Sequence, residues 1–107
     1  MILNHIDDGE GRVIVLLHGM FGSHTNLNNI ARFLSSNYRV LNCDLRNQGD
    51  SFHNDTMDLT SMANDVVRLL DKLDIKQASV LGHSLGGKVA MQCALMFPNR
   101  CSKLIIA

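Results

Sequence analysis

Gly82-His83-Ser84-Leu85-Gly86 stands between a short apolar run, Ser79 to Leu81, and a stretch of small residues that begins at Gly87. This is the G-x-S-x-G pattern of a nucleophile elbow, in which a strand breaks sharply into a helix and lifts a Ser hydroxyl above the sheet. Gly at both flanks answers a steric need, because a Cβ at Gly82 or Gly86 would collide with the neighbouring strand or helix. The N–H of Leu85 opens the helix, where amide donors lack intrahelical acceptors and the dipole favours negative charge. A serine beside such a donor is equipment for attack on an acyl carbon. Two competing readings fail on residue chemistry. Gly82-x-x-x-x-Gly87-Lys88 approaches a phosphate-binding P-loop, but Val89 stands where a Ser or Thr must reach Mg²⁺. A dinucleotide fingerprint needs a glycine at the position of Ser84.

The elements that must position this serine follow from the hydrophobic pattern. Met1 to Ile6 reads as a short strand closed by the turn signal Asp7 to Gly11. Val13 to Leu17 is apolar without alternation, the mark of a central parallel strand covered on both faces. It runs into His18-Gly19-Met20-Phe21-Gly22-Ser23. Asn26 to Leu34 has helical spacing, and Tyr38 to Cys43 reads as the next strand. The polar loop Asp44 to Ser51 follows. Leu59, Met62, Ala63, Val66, Val67, Leu70 and Leu73 form one stripe of a helix capped by Asp58 or Thr60. Val89 to Phe97 is apolar nearly all round, which predicts a buried helix stopped by Pro98. Lys103 to Ala107 reads as a last, wholly apolar strand. Helices between apolar strands predict an α/β fold, a mostly parallel sheet with helices on both faces, as a single domain over residues 1–107.

Composition narrows the partners. Ten basic and ten acidic side chains among 107 residues give no net charge, which argues against nucleic acid and anionic membranes. No apolar run reaches the roughly 20 residues of a membrane span, and Met1 to His5 lacks the charged start of a signal peptide. Cys43, Cys93 and Cys101 lie at or beside apolar runs and read as buried thiols of a reducing compartment, the cytoplasm or an organelle matrix. No His, Cys, Asp or Glu spacing suggests a metal, and no cofactor is implied.

Three motifs stand in register: Leu17-His18-Gly19-Met20-Phe21-Gly22-Ser23, Asp44-Leu45-Arg46-Asn47-Gln48-Gly49-Asp50-Ser51 and Gly82-His83-Ser84-Leu85-Gly86-Gly87-Lys88. Over practically its whole length the chain resembles the N-terminal part of an α/β-hydrolase-fold serine hydrolase of the esterase branch. The resemblance implies that strands 38–43, 13–17, 79–81 and 103–107 lie side by side in that order. It implies Ser84 as nucleophile, the Met20 and Leu85 N–H groups as the oxyanion hole, and a small acyl ester or thioester as substrate. His18, Gly19, Gly82 and Gly86 become structural supports of that site. The family usually reads RNHG in the second motif; Gln48 replaces that His and receives no catalytic role. His83 is expected to point away from Ser84, and His5, His24 and His53 to be solvated. Asp44, Asp50 and Asp55 read as capping and turn residues. Met20, Phe21, Phe52 and Met57 are candidates for an apolar acyl-side wall.

In the family, acid and His follow the nucleophile in the chain, beyond the strand that ends here, and a cap domain sets substrate choice. No His, Asp or Glu follows Ser84 in this sequence. The expectation is therefore an incomplete hydrolase core, with little or no turnover by itself. The rival reading is a non-catalytic half-domain whose apolar last strand pairs with a second copy or a complementing chain.

Overall fold

The computed structural model describes residues 1–107. Five strands form one sheet: β1 (His5–Asp8), β2 (Val13–Leu17), β3 (Arg39–Cys43), β4 (Ala78–Gly82) and β5 (Cys101–Ile106), in the order β1-β3-β2-β4-β5. Only β1 runs antiparallel, with His5 opposite Cys43 and Asp8 opposite Val40. Helix α1 (Asn28–Leu34) follows a 3-10 turn at His24–Leu27, α2 (Leu59–Lys72) precedes β4, and α3 (Leu85–Met96) joins β4 to β5. None of the helices is long and apolar enough to cross a membrane.

The unbroken apolar run of β2 is explained by what covers it. Val15 and Leu17 face a core built with Met62, Ala63, Val66, Leu69 and Leu70 of α2 and Val89, Ala90 and Cys93 of α3. Ile14 and Leu16 face the opposite way, onto Leu27, Val40, Leu81 and the α1 residues Ala31 and Leu34. A strand buried on both faces cannot alternate. The first of these cores is the larger, so α2 and α3 form the heavy side of the sandwich.

Several boundaries differ from expectation for identifiable reasons. The first strand is His5–Asp8, not Met1–Ile6, because Asp7 is drawn into the sheet edge by Arg39, whose Nε and Nη2 donate to its carboxylate at 3.0 and 2.7 Å. Leu3, ahead of the strand, is buried instead. Asp58 is the cap of α2, its carboxylate accepting from Ser61 N–H at 2.7 Å. The helix ends where Asp74 takes φ 60° and lets Ile75 N–H reach back to Leu70 C=O at 2.8 Å, a left-handed C-terminal cap. Helix α3 begins at Leu85 and is not buried all round: Met91 and Leu95 are exposed, while Gly86, Gly87, Val89, Ala90 and Cys93 face the core. Cys43, Cys93 and Cys101 are buried, unpaired thiols.

The long β3–α2 connection is fastened to the fold by a buried ion pair. Arg46 Nε and Nη2 donate to the two Asp65 carboxylate oxygens at 2.6 and 2.7 Å, and Nη1 donates to Thr56 C=O at 2.7 Å. Phe52 lies under the guanidinium, 5.4 Å from ring centroid to Cζ. Asp65 stands inside the apolar stripe of α2, where the planar Arg46 guanidinium satisfies both its oxygens and Arg68 Nη1 adds a longer bond to Oδ1 at 3.3 Å. Removing one partner leaves a buried charge without compensation. Asp65→Ala is expected to lower stability by about 3–5 kcal/mol, read as the shift in urea midpoint at constant slope; a loss below about 1 kcal/mol would mean the pair is solvated in solution.

Candidate active site

The three signature loops meet at the carboxyl end of β2, β3 and β4. Between β4 and α3 the backbone turns at Ser84, which adopts φ 56° and ψ −117°, a strained conformation for a residue with a Cβ. The turn closes only because its flanks are bare. A Cβ on Gly82 would lie 2.2 Å from Gly86 O, and one on Gly86 would lie 2.1 Å from Leu17 O. With no side chain between them, the start of α3 rests directly on the end of β2, and His83 N–H donates to Leu17 C=O at 3.0 Å. Ser84 is exposed, and no group of the chain hydrogen-bonds its hydroxyl.

The loop after β2 is laid against this turn. A Cβ on Gly19 would be 3.3 Å from Ser84 Cβ, so the Gly19 backbone passes next to the serine. His18 is fully buried. Leu45 N–H donates to its Nε2 at 3.0 Å, which leaves Nδ1 as the protonated nitrogen, donating to Gly19 C=O at 2.6 Å. Burial pushes the His18 pKa below its ordinary value, against smaller upward effects of Gly19 C=O and Asp44. A neutral imidazole with both nitrogens engaged is a strut between two loops and has no lone pair for Ser84. The N–H groups of Met20 and Leu85 have no acceptor within the chain. Met20 lines the cleft together with Ser84, and Leu85 is the residue that follows Ser84 at the start of α3.

Behind this loop lies Asp44, fully buried. Its carboxylate accepts from His24 N–H (2.6 Å), His24 Nδ1 (2.8 Å), Asn4 Nδ2 (2.8 Å) and Asp50 N–H (2.9 Å). Burial alone would raise its pKa, but the His24 and Asp50 amides and the Asn4 and His24 side chains outweigh it and hold the carboxyl at about 2. Asp44 thus caps its own loop and the approach to α1. His24 is bound to Asp44 rather than solvated.

A cleft of about 640 Å³ opens over Ser84, lined by Gly19, Met20, Phe21, Leu27, Ile30 and His83 among others. The apolar wall therefore contains Met20 and Phe21 as expected, but Leu27 and Ile30 take the places foreseen for Phe52 and Met57. Phe52 is turned under Arg46, and Met57 lies outside the cleft. His83 borders the same cleft, its backbone tied to Leu17 and its ring close to Gly19. It makes no hydrogen bond to Ser84. The contact that sequence reasoning missed is at Gln48, nearly buried, whose Oε1 accepts from Phe21 N–H at 2.8 Å. Its only signal was its place in the loop of the strand neighbouring β2. No group of three or more His, Cys, Asp or Glu side chains is arranged to hold a metal.

Residues 12–107 match the family described as alpha/beta hydrolase fold. The chain is similar to the sn-1-specific diacylglycerol lipase ABHD11 of Xenopus tropicalis, 43% identical over 97 residues, covering 89% of this chain and 30% of the relative. It is similar to esterase YbfF of Escherichia coli strain K12, 40% identical over 92 residues, covering 86% and 36%. Among solved structures, a marine microorganism esterase superposes with a TM-score of 0.95 at 36% identity, over 98% of this chain and 41% of that one. The chain spans about a third of the length of the curated relatives it matches.

The Asp44 carboxyl makes the site sensitive to acid. Its folded pKa of about 2 lies below the ordinary 3.8, so its contribution is complete above about pH 4 and is lost as pH falls towards 2, a difference on the order of 2 kcal/mol. Urea midpoints measured from pH 6 to pH 2.5 are expected to fall across the acid end, and Asp44→Asn to flatten that fall. Asp7 and Asp58, lowered by Arg39 and by Ser61 N–H, leave a residual slope. An unchanged profile in Asp44→Asn would remove Asp44 from this role.

Proposed function

The chain belongs to the alpha/beta hydrolase fold family, and on that premise we propose that it carries the nucleophile and oxyanion loop of a serine hydrolase acting on carboxylic ester or thioester bonds. In this reading Ser84 Oγ attacks the acyl carbon and the carbonyl oxygen becomes an oxyanion received by the Met20 and Leu85 N–H groups. The Ser84 proton passes to a histidine, which returns it to the departing alcohol or thiol, and water then hydrolyses the acyl-enzyme. The single observation that carries the reading is the exposed Ser84 at φ 56° in one cleft with the loop of Met20. The esterase and lipase names of the relatives support acyl esters. The apolar residues Met20, Phe21, Leu27 and Ile30 support an acyl chain lying along the cleft.

No imidazole of residues 1–107 hydrogen-bonds Ser84. His18 is engaged at both nitrogens and His24 is held on Asp44. By themselves, these residues turn substrate over weakly or not at all, since a serine without its base keeps only the contribution of binding and the oxyanion hole. Unpaired thiols at Cys43, Cys93 and Cys101 support a reducing compartment, the cytoplasm or an organelle matrix, as the place of action. A second reading keeps the fold and drops turnover. Leu104, Ile105 and Ile106 of β5 are each 40–48% exposed, which supports pairing of that edge with a complementing strand from another chain.

Incubation with a fluorophosphonate probe, read by intact mass and peptide mapping, separates the two. Because no imidazole of residues 1–107 hydrogen-bonds Ser84, the expected outcome is slow formation of one phosphonyl adduct on Ser84, absent from Ser84→Ala. An adduct that persists in Ser84→Ala would sink the nucleophile assignment; a folded sample that never labels, or that associates into dimers, would favour the second reading.

A further inference from the structure

The Met20 backbone is held from both sides, and His18 accounts for only one of the holds. A peptide unit is planar and trans, so its C=O and N–H point in opposite directions. Gly19 C=O accepts from His18 Nδ1 at 2.6 Å and from Gly22 N–H at 3.1 Å. That turns the N–H of the same unit, Met20 N–H, away from both donors. The following unit, from Met20 C=O to Phe21 N–H, is held by another group, Gln48 Oε1 at 2.8 Å.

Gln48 is itself fastened. It is 8% exposed, its N–H donates to Leu45 C=O, and its C=O accepts from Ser51 N–H, each at 3.1 Å. Phe21 is the weak point that needs holding. It adopts φ 61°, a left-handed conformation unfavourable for a residue with a Cβ, and its side chain is 93% exposed, so packing does not keep it there. The Gly22 N–H to Gly19 C=O bond closes a turn around Met20 and Phe21, and the buried amide oxygen of Gln48 is the side-chain contact that stabilises this backbone further.

We propose that Gln48 is a positioning residue for the Met20 amide: by accepting from Phe21 N–H it pins the second peptide unit of the loop and so completes the aim of Met20 N–H toward the oxygen bound beside Ser84. This rests on the reading of Ser84 as an acyl nucleophile. Without the clip, the Met20–Phe21 unit keeps only the Gly22 turn bond and rotates more freely, while the His18 hold on Gly19 remains. Deleting an oxyanion donor lowers rate by about 10²- to 10³-fold. Loss of aim alone is a smaller effect, about tenfold.

The test compares Gln48→Met, of equal length but without the oxygen, with Gln48→Glu, which keeps an acceptor at the same reach. Amide hydrogen exchange followed by NMR on the full chain is expected to show Phe21 N–H protected in the wild type. Gln48→Met should lose that protection at least tenfold, with the β2 and β3 amides unchanged. The limiting rate of Ser84 phosphonylation by a fluorophosphonate is expected to fall about tenfold in Gln48→Met, with the half-saturating probe concentration within twofold, and to recover in Gln48→Glu. Should Gln48→Met fail to fold, Gln48→Asn, which withdraws the oxygen by one methylene, takes its place. An unprotected Phe21 amide in the wild type, or equal labelling rates in wild type and Gln48→Met, overturns the proposal. A folded wild type that does not label at Ser84 overturns instead the reading on which it rests.

Discussion

Backbone contact between the start of α3 and the end of β2 is the constraint on which the rest of the structure depends. Two elements can touch at main-chain distance only where no Cβ intervenes: Gly86 provides that against Leu17 of β2, and Gly82 lets the first turn of α3 fold back against the end of β4. From this contact follow the strained Ser84, the inward tie of His83 N–H to Leu17 C=O and the passage of Gly19 beside the serine. The strain at Ser84 is sustained because the surrounding core over-determines it. Val15, Val80, Val89 and Ala90 are all fully buried around the elbow.

The loops at this edge are irregular, and irregular backbone is stable at a buried edge only when its polar groups are satisfied. Four buried polar side chains do this. His18 joins the β2 loop to the β3 loop, Asp44 gathers the N-terminal segment, the approach to α1 and its own loop, and Arg46 with Asp65 ties the β3–α2 connection to α2. Each lies in low dielectric, where a made hydrogen bond is strong and an unmade one is expensive. The result is a polar frame around Ser84 whose charged members are neutralised by partners away from the cleft. At the edge of the cleft the Met20 and Leu85 amides find no acceptor within the chain.

Much of this was legible in the residue order because it is local. The strand-turn-helix around Ser84, the two-sided burial of Val13 to Leu17 and the cap at Asp58 each depend on neighbours a few positions away. The stripe on α2 and the buried thiols were legible for the same reason. The edge strand was misplaced because Asp7 reads as a turn residue until Arg39, far along the chain, pairs with it. His24 read as solvated and Gln48 as idle for a related cause: their partners are in other loops.

By itself, then, the sequence determined the elements, the elbow and the family to which they belong. These follow from periodicity, glycine sterics and the spacing of three motifs, all short-range properties of a chain. Only the tertiary structure decided which side chains brace the loops and which line the cleft. It set Leu27 and Ile30 rather than Phe52 and Met57 in the wall, and Gln48 beneath Phe21 N–H. Those choices depend on hydrogen bonds and contacts between segments roughly 20–30 residues apart, and no local pattern encodes a pairing that exists only after the sheet has brought its loops to one edge.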